Sequence, residues 1–141
     1  RGLAYDIYSY VNHLLDSGAV VVYAGVEPKH IGSAIRVILD LLHQLVEDQV
    51  PEWELTKVKE LVKGRLLLRM EDSHSVSNWL GTQELLMNQV FTVDEVISTV
   101  DAISSEDLKR VAQNLLISEK LCLAIVGPVR GQKRLHRLLK L

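Results

Sequence analysis

The chain has 141 residues, of which 48% are hydrophobic and 24% are charged, and its net charge is −2 at pH 7. These proportions are typical of a globular domain and exclude a disordered tail. The longest apolar runs are far shorter than the roughly 20 residues that a membrane-spanning helix needs. Because the chain is slightly acidic, it offers no electrostatic reason to bind nucleic acid. We therefore expect one soluble domain, 1–141, with neither nucleic acid nor membrane as a partner.

The first ten residues, RGLAYDIYSY, predict a β-strand that begins in the middle of a domain. No initiator Met or helix cap precedes them, so we expect a fragment whose N-terminal strands are missing. Side chains alternate over residues 3–12, as in a strand with one wetter face. The drier face carries Leu3, Tyr5, Ile7 and Val11, and the wetter face carries Asp6, Tyr8, Tyr10 and Asn12.

A turn, a second strand and five helices are predicted next. Residues 16–18 have turn chemistry, and the β-branched run 19–25 completes an antiparallel hairpin. Apolar periodicity and capping signals predict helices over 28–48, 51–70, 73–87, 92–102 and 104–116. Thr92 and Glu95 form a capping box at the fourth helix. The second helix has an apolar stripe of Leu55, Val58, Leu61 and Val62.

The apolar run Leu121–Val126 is predicted to be a strand buried on both faces, because it is short, continuous and stopped by Gly127. Cys122, inside this run, is interpreted as a buried hydrophobe and not as a nucleophile. Three strands give too little sheet to cover five helices, so further strands should come from outside the chain. The basic tail from Arg130 is interpreted as a solvated terminal helix.

The residues themselves show no catalytic centre and no metal site. No two of the five histidines lie three or four residues apart, and the zinc motifs H-E-x-x-H and H-x-x-E-H are absent. Asp72, Ser73 and His74 have the residue types of a hydrolase triad, but we interpret them as a helix N-terminus capped by Ser73. We therefore predict no catalytic residue and no metal ligand in this chain.

Five segments, in this order, resemble the C-terminal-type domain of the pitrilysin/insulinase zinc metallopeptidases (inverzincins), which include the mitochondrial processing peptidases and bacterial relatives. They are RGLAYDIYSY, GAVVVYAGVEPKHIGSAI, ELTKVKELVKGRLLLRMEDS, FTVDEVISTVDAISSEDLKRVAQNLL and LCLAIVGP. The resemblance runs from Arg1 to Pro128. It implies a two-layer α+β fold, with an antiparallel sheet and helices packed on one face. It also implies two homologous domains that enclose a chamber for an unfolded peptide.

The resemblance places the zinc on an H-x-x-E-H motif in another domain, so it implies zinc in the full-length enzyme but none bound by this chain. Family members contribute an Arg and a Tyr from the C-terminal-type domain to substrate contact, and the Tyr of their G-L-x-Y motif matches Tyr5. The Arg lies seven residues before this Tyr, upstream of Arg1, and we do not assign its role to Arg1. From the residues alone, Tyr5 is better interpreted as a strand residue that packs the sheet, and the resemblance makes substrate contact an equal alternative. If helices cover the drier face, the possible chamber-lining residues are Asp6, Tyr8, Tyr10 and Asn12.

We therefore predict a substrate-binding and chamber-closing domain of a zinc metalloendopeptidase, inactive by itself. The expected partners are a peptide substrate and a homologous zinc-bearing domain, in the same chain or in a partner subunit. One alternative is a non-catalytic family member that acts as a processing-peptidase partner or a structural core subunit. Another is a helix-rich interaction module that uses the tail from Arg130. The sequence does not fix the compartment, and a bacterial cytoplasmic location is favoured.

Overall fold

The computed structural model describes residues 2–129, 135 and 137–140. Within this part, a two-stranded antiparallel hairpin is followed by five α-helices, which confirms the predicted α+β class and excludes a fold without a sheet. The strands are β1 (Ala4–His13) and β2 (Gly18–Val26). The helices are α1 (Ile31–Glu47), α2 (Glu52–Arg69), α3 (Ser73–Met87), α4 (Val93–Ala102) and α5 (Ser105–Leu115). Short 3-10 turns occupy Pro28–His30 and Ser118–Lys120.

The chain divides into two compact units, and the first comprises Arg1–Asn12, Gly18–Gln49 and Leu108–Leu141. Its α1 packs against β2. Few apolar side chains are buried among the described residues of this unit, and all are small or medium in size. They are Ala34, Ile35, Leu39 and Ala112. Two side chains of α5 donate to carbonyls in the last turn of α1: Lys109 Nζ to Glu47 at 2.6 Å and Gln113 Nε2 to Val46 at 3.3 Å. These bonds satisfy carbonyls that have no partner within their own helix.

The second unit comprises His13–Ser17 and Val50–Asp107, and in it α2 packs against α4. Leu55 is 4% exposed. The predicted apolar stripe of α2 is otherwise wrong, because its other members are about half exposed, namely Val58, Leu61 and Val62. Lys59 and Lys63 face α4 instead.

The two lysines on α2 bind the C-terminal end of α4. Lys59 Nζ donates to the Asp101 carbonyl at 2.9 Å, and Lys63 Nζ donates to Asp101 Oδ1 at 2.8 Å. Lys63 also pairs with Glu60 at 2.6 Å, and its bonds to Asp101 and Glu60 raise its pKa. Cations are favourable where the helix dipole is negative and the last carbonyls lack partners. These bonds place a charged part of α2 against the C-terminal end of α4.

Helix α3 has its N-cap one residue before the one that we predicted. Asp72, and not Ser73, is the N-cap, and its Oδ2 accepts from the Ser75 amide at 2.7 Å. Hydrogen bonds from the Ser75 side chain and, next, the Ser75 amide favour the carboxylate form and lower the pKa of Asp72. Near the other end of α3, the Phe91 amide donates to the buried Gln83 Oε1 at 3.1 Å, which ties the helix to the loop before α4.

Helix α4 begins at the predicted capping box. Thr92 Oγ1 accepts from the Glu95 amide at 3.2 Å, and Glu95 Oε2 accepts from the Thr92 amide at 2.7 Å. The bonds from Thr92 lower the pKa of Glu95. Ser104 and Asp107 repeat this reciprocal pattern before α5, with both bonds to the backbone amides at 3.1 Å. Local sequence chemistry therefore sets both helix starts.

Replacing Thr92 with alanine should lower the free energy of unfolding at pH 7 by about 1 kcal/mol, since one amide of α4 loses its acceptor. Urea unfolding measures this change, and Thr56→Ala, at an exposed interior position of α2, should cost less. Folding lowers the pKa of Glu95. The contribution of Glu95 to the free energy of unfolding is therefore fully present above its pKa in the unfolded chain, and it is lost as the pH falls through its pKa in the folded protein. The difference between wild type and Thr92→Ala should therefore shrink in acid, once the pH falls below the ordinary pKa of a glutamate side chain. A difference that stays constant into acid would contradict this coupling.

The prediction of a strand at residues 121–126 is wrong. These residues form no regular secondary structure, and Leu123, Ile125 and Val126 are exposed. Cys122, predicted to be buried, is exposed as well. A strand requires a neighbour for its amides and carbonyls, and the sheet in the described part of the chain consists of β1 and β2 alone. The predicted terminal helix from Arg130 lies largely outside the described residues.

Candidate functional site

The hairpin carries all four tyrosines of the chain. Tyr5, Tyr8 and Tyr10 lie on β1, and Tyr23 lies on β2. Tyr5 is 74% exposed, and the other three are 48–49% exposed. Tyrosine carries a large apolar ring and a polar tip, which suits contact with another chain. The aromatic side chains of this hairpin are therefore available to a ligand.

The hairpin forms because its turn and strand residues each suit their positions. The Leu14 amide donates to the Ser17 carbonyl at 2.9 Å and closes the turn, where Ser17 Oγ also donates to Asp16 Oδ1 at 3.2 Å. Gly18 follows, and a Cβ there would lie 2.9 Å from the Asn12 carbonyl oxygen, which leaves room for glycine only. The turn chemistry read from residues 16–18 is thus confirmed, with β2 starting at Gly18.

Three of the tyrosines form a continuous aromatic surface, which we call the tyrosine face. The Tyr8 ring stacks on Tyr23 with centroids 4.8 Å apart and an interplanar angle of 25°. Tyr10 lies on the other side, with its centroid 6.1 Å from that of Tyr8. The sequence predicts Tyr8 and Tyr10 as chamber-lining residues but does not predict Tyr23. The available signal was that Tyr23 is an aromatic residue in a strand otherwise built from small and β-branched residues.

Gly25 separates Tyr5 from the tyrosine face. A Cβ at Gly25 would lie 3.6 Å from Tyr5 Cδ2 and 3.9 Å from the Tyr23 hydroxyl oxygen, so the missing side chain leaves a gap between the two tyrosines. Glycine in a strand often marks a place where another backbone approaches closely. A side chain at this position would contact both tyrosines.

The other predicted site residues, Asp6 and Asn12, are exposed on β1. The distinction between a drier and a wetter face is not visible in burial, because Ile7 and Val11 on the other face are also more than half exposed. Tyr5 is likewise not packed into a sheet interior. The hairpin thus presents Tyr5, Asp6, Tyr8, Tyr10 and Asn12 to solvent.

No three His, Cys, Asp or Glu side chains come together as a metal site in residues 2–129, 135 and 137–140. The described residues therefore do not by themselves fit a catalytic zinc ion. Across the same residues, the helices are too short or too polar to span a bilayer.

The described fold is found in a solved structure. A chain of complex III from Candida albicans superposes with a TM-score of 0.76 at 18% identity, over 96% of this chain and 33% of that one. This similarity establishes the α+β architecture as that of a known larger protein.

Sequence comparisons give the family. Residues 1–62 match the family model described as the Peptidase M16 inactive domain. A zinc protease of Mycobacterium tuberculosis is 34% identical over 134 residues, and one of Streptomyces coelicolor is 28% identical over 138 residues. The mitochondrial-processing peptidase β subunit of mouse is 24% identical over 127 residues. The alignments cover 95%, 96% and 90% of this chain but 30%, 30% and 26% of those proteins.

The family-model match and the relatives together support an M16-family protein, as the resemblance to the pitrilysin/insulinase peptidases implied. The chain spans about a third of the length of the curated relatives that it matches. Those relatives are named zinc proteases and a processing-peptidase subunit, and the matching model is that of the inactive domain.

Proposed function

We propose that this chain is the substrate-binding and chamber-closing part of a zinc metalloendopeptidase that hydrolyses unfolded peptides. In this proposal residues 1–141 belong to one domain, and the zinc lies on a homologous domain in the same chain or in a partner subunit. The observation that carries the proposal is the exposed tyrosine-rich hairpin that begins with the G-L-x-Y motif. The zinc-protease relatives support the zinc in the whole protein.

The role that we propose for Tyr5 is hydrogen-bond donation to the peptide. Its phenol is exposed beside the gap at Gly25, where an extended chain can approach. A phenol O–H can donate to a peptide carbonyl, and it donates more strongly to the oxyanion that forms when water attacks that carbonyl. A chamber closed by a second domain would exclude water and strengthen this bond. Asp6, Tyr8, Tyr10 and Asn12 line the same chamber in this proposal.

A non-catalytic role is the second candidate. The family model matched is that of the inactive domain, and one relative is a subunit of a mitochondrial-processing peptidase. A protein with this role would keep the hairpin and act beside a catalytic subunit. A bacterial cytoplasmic location belongs to the first candidate, and the bacterial zinc proteases among the relatives support it.

The test is peptide hydrolysis by the full-length protein. We expect cleavage of an unfolded reporter peptide, loss of cleavage after chelation, and recovery with Zn²⁺. The 141-residue chain by itself should show no cleavage and no stoichiometric zinc. If the full-length protein binds peptide but contains no zinc and never cleaves, the non-catalytic role replaces the first proposal. Stoichiometric zinc on the isolated chain would contradict both.

A further inference from the structure

The Tyr5 ring lies against the neighbouring strand at a glycine. Tyr5 is on β1, and Gly25 is on β2, the strand that pairs with β1. We propose that Gly25 is a positioning residue: its missing side chain leaves room for the Tyr5 ring beside β2, and this contact fixes the direction of the phenol. The proposal rests on the proposed function, because it concerns how the hairpin orients the hydroxyl that contacts the peptide.

Three atoms border the point where a Cβ of Gly25 would lie. Tyr5 Cδ2 is 3.6 Å from that point, and the Asp6 carbonyl oxygen and the Tyr23 hydroxyl oxygen are each 3.9 Å from it. The edge of the Tyr5 ring, the backbone of β1 and the tip of Tyr23 therefore share one small space. An aromatic ring can cover a strand glycine, whose backbone is otherwise bare. Tyr5 and Gly25 form such a pair.

The backbone of β2 does not itself require glycine at this position. The glycines with positive φ in the described residues are Gly2 and Gly127, and Gly25 is not among them. A Cβ at 3.6 Å from Tyr5 would make an ordinary van der Waals contact, so alanine fits. Valine adds two carbons about 1.5 Å beyond the Cβ, and these would enter the space bordered by Tyr5 and Tyr23. The position therefore excludes bulk beyond a methyl group.

Tyr5 is the neighbour that a larger side chain would displace. Tyr23 stacks on Tyr8 with centroids 4.8 Å apart, whereas Tyr5 is 74% exposed. An exposed side chain changes rotamer readily. A group misplaced by about 1 Å can lower a reaction rate about 100-fold. Bulk at position 25 should therefore act on the reaction by moving the Tyr5 hydroxyl.

The test is the kinetics of full-length variants with the reporter peptide. Gly25→Val should lower kcat about ten- to 100-fold and change KM little. Gly25→Ala should lower kcat far less, because its Cβ fits beside the Tyr5 ring. Ala19→Val, at an exposed position of the same strand, adds two carbons away from Tyr5 and should leave kcat unchanged. A loss of kcat in Ala19→Val equal to that in Gly25→Val would overturn the proposal.

A double variant shows whether Gly25 acts through Tyr5. In a Tyr5→Phe background, Gly25→Val should cause little further loss of kcat, because the hydroxyl that it displaces is already absent. The same fold-loss in both backgrounds would mean that Gly25 acts independently of Tyr5, which overturns the proposal. Should the valine variant not fold, Gly25→Ser, with one atom beyond the Cβ, gives the same comparison with a smaller loss.

The outcomes separate this inference from the proposed function. If the full-length protein cleaves the peptide and Tyr5→Phe lowers kcat while Gly25→Val does not, Gly25 is not a positioning residue and the proposed function stands. If Tyr5→Phe keeps full kcat, the role of Tyr5 fails and that of Gly25 fails with it. If the wild-type protein cleaves no unfolded peptide, both the proposed function and this inference are wrong.

Discussion

Tyr5→Phe in the full-length protein should lower kcat for peptide hydrolysis about 100-fold and change KM little. The substitution removes one hydroxyl, and donors to a developing oxyanion are worth about 100- to 1,000-fold in kcat. Tyr5 is 74% exposed, so the free energy of unfolding should stay within about 0.5 kcal/mol of wild type. Steady-state kinetics with a quenched fluorescent peptide gives kcat and KM separately.

The control for this variant must lie away from the hairpin, since all four tyrosines are on it. Ser77→Ala removes an exposed hydroxyl from α3 and should leave kcat unchanged. A Tyr5→Phe enzyme with full kcat would remove Tyr5 from the reaction. An equal loss in both variants would point to a general effect on the fold.

Leu55→Ala should lower the free energy of unfolding of this chain by about 2–4 kcal/mol, because truncating a buried leucine loses transfer energy and leaves a cavity. Leu55 is 4% exposed, whereas Leu61 on the same helix is 50% exposed. Leu61→Ala is therefore the matched control and should cost clearly less. Urea unfolding of the two variants side by side measures the difference.

This pair of variants also tests which face of α2 packs against α4. The apolar periodicity of the sequence assigns Leu55 and Leu61 to the same inner stripe, and the structure assigns only Leu55 to the interior. If Leu61→Ala were as costly as Leu55→Ala, the orientation set by Lys59 and Lys63 would be contradicted.

Local signals in the sequence predicted the helices and the hairpin well. Turn residues, Pro at residues 28 and 51, and the box of Thr92 and Glu95 act over three or four neighbouring positions, so their effect is readable without tertiary structure. The predicted helix over 73–87 has the same bounds as α3. Only its cap differs, because Asp72 competes with Ser73 for the same amides and accepts from Ser75.

The wrong predictions concern elements whose structure depends on residues far away in the sequence. Lys59 and Lys63 turn toward α4 because Asp101 lies there, about 40 positions later in the chain. The run 121–126 is apolar enough for a buried strand but pairs with no other strand in the described residues. Pairing between β1 and β2 likewise joins Tyr23 to Tyr8, which no local pattern in either strand indicates. Contacts between residues distant in the sequence thus determine both the tyrosine face and the elements that the sequence predicts wrongly.

The most direct test of a peptide-binding hairpin is photo-crosslinking in the full-length protein. An unfolded peptide carrying a photoreactive benzophenone group is bound and irradiated, and mass spectrometry maps the labelled residues. We expect labels on β1 and β2, concentrated between Tyr5 and Asn12 and near Tyr23, with competition by unlabelled peptide. Labels confined to α2, α3 and α4, with none on the hairpin, would contradict it.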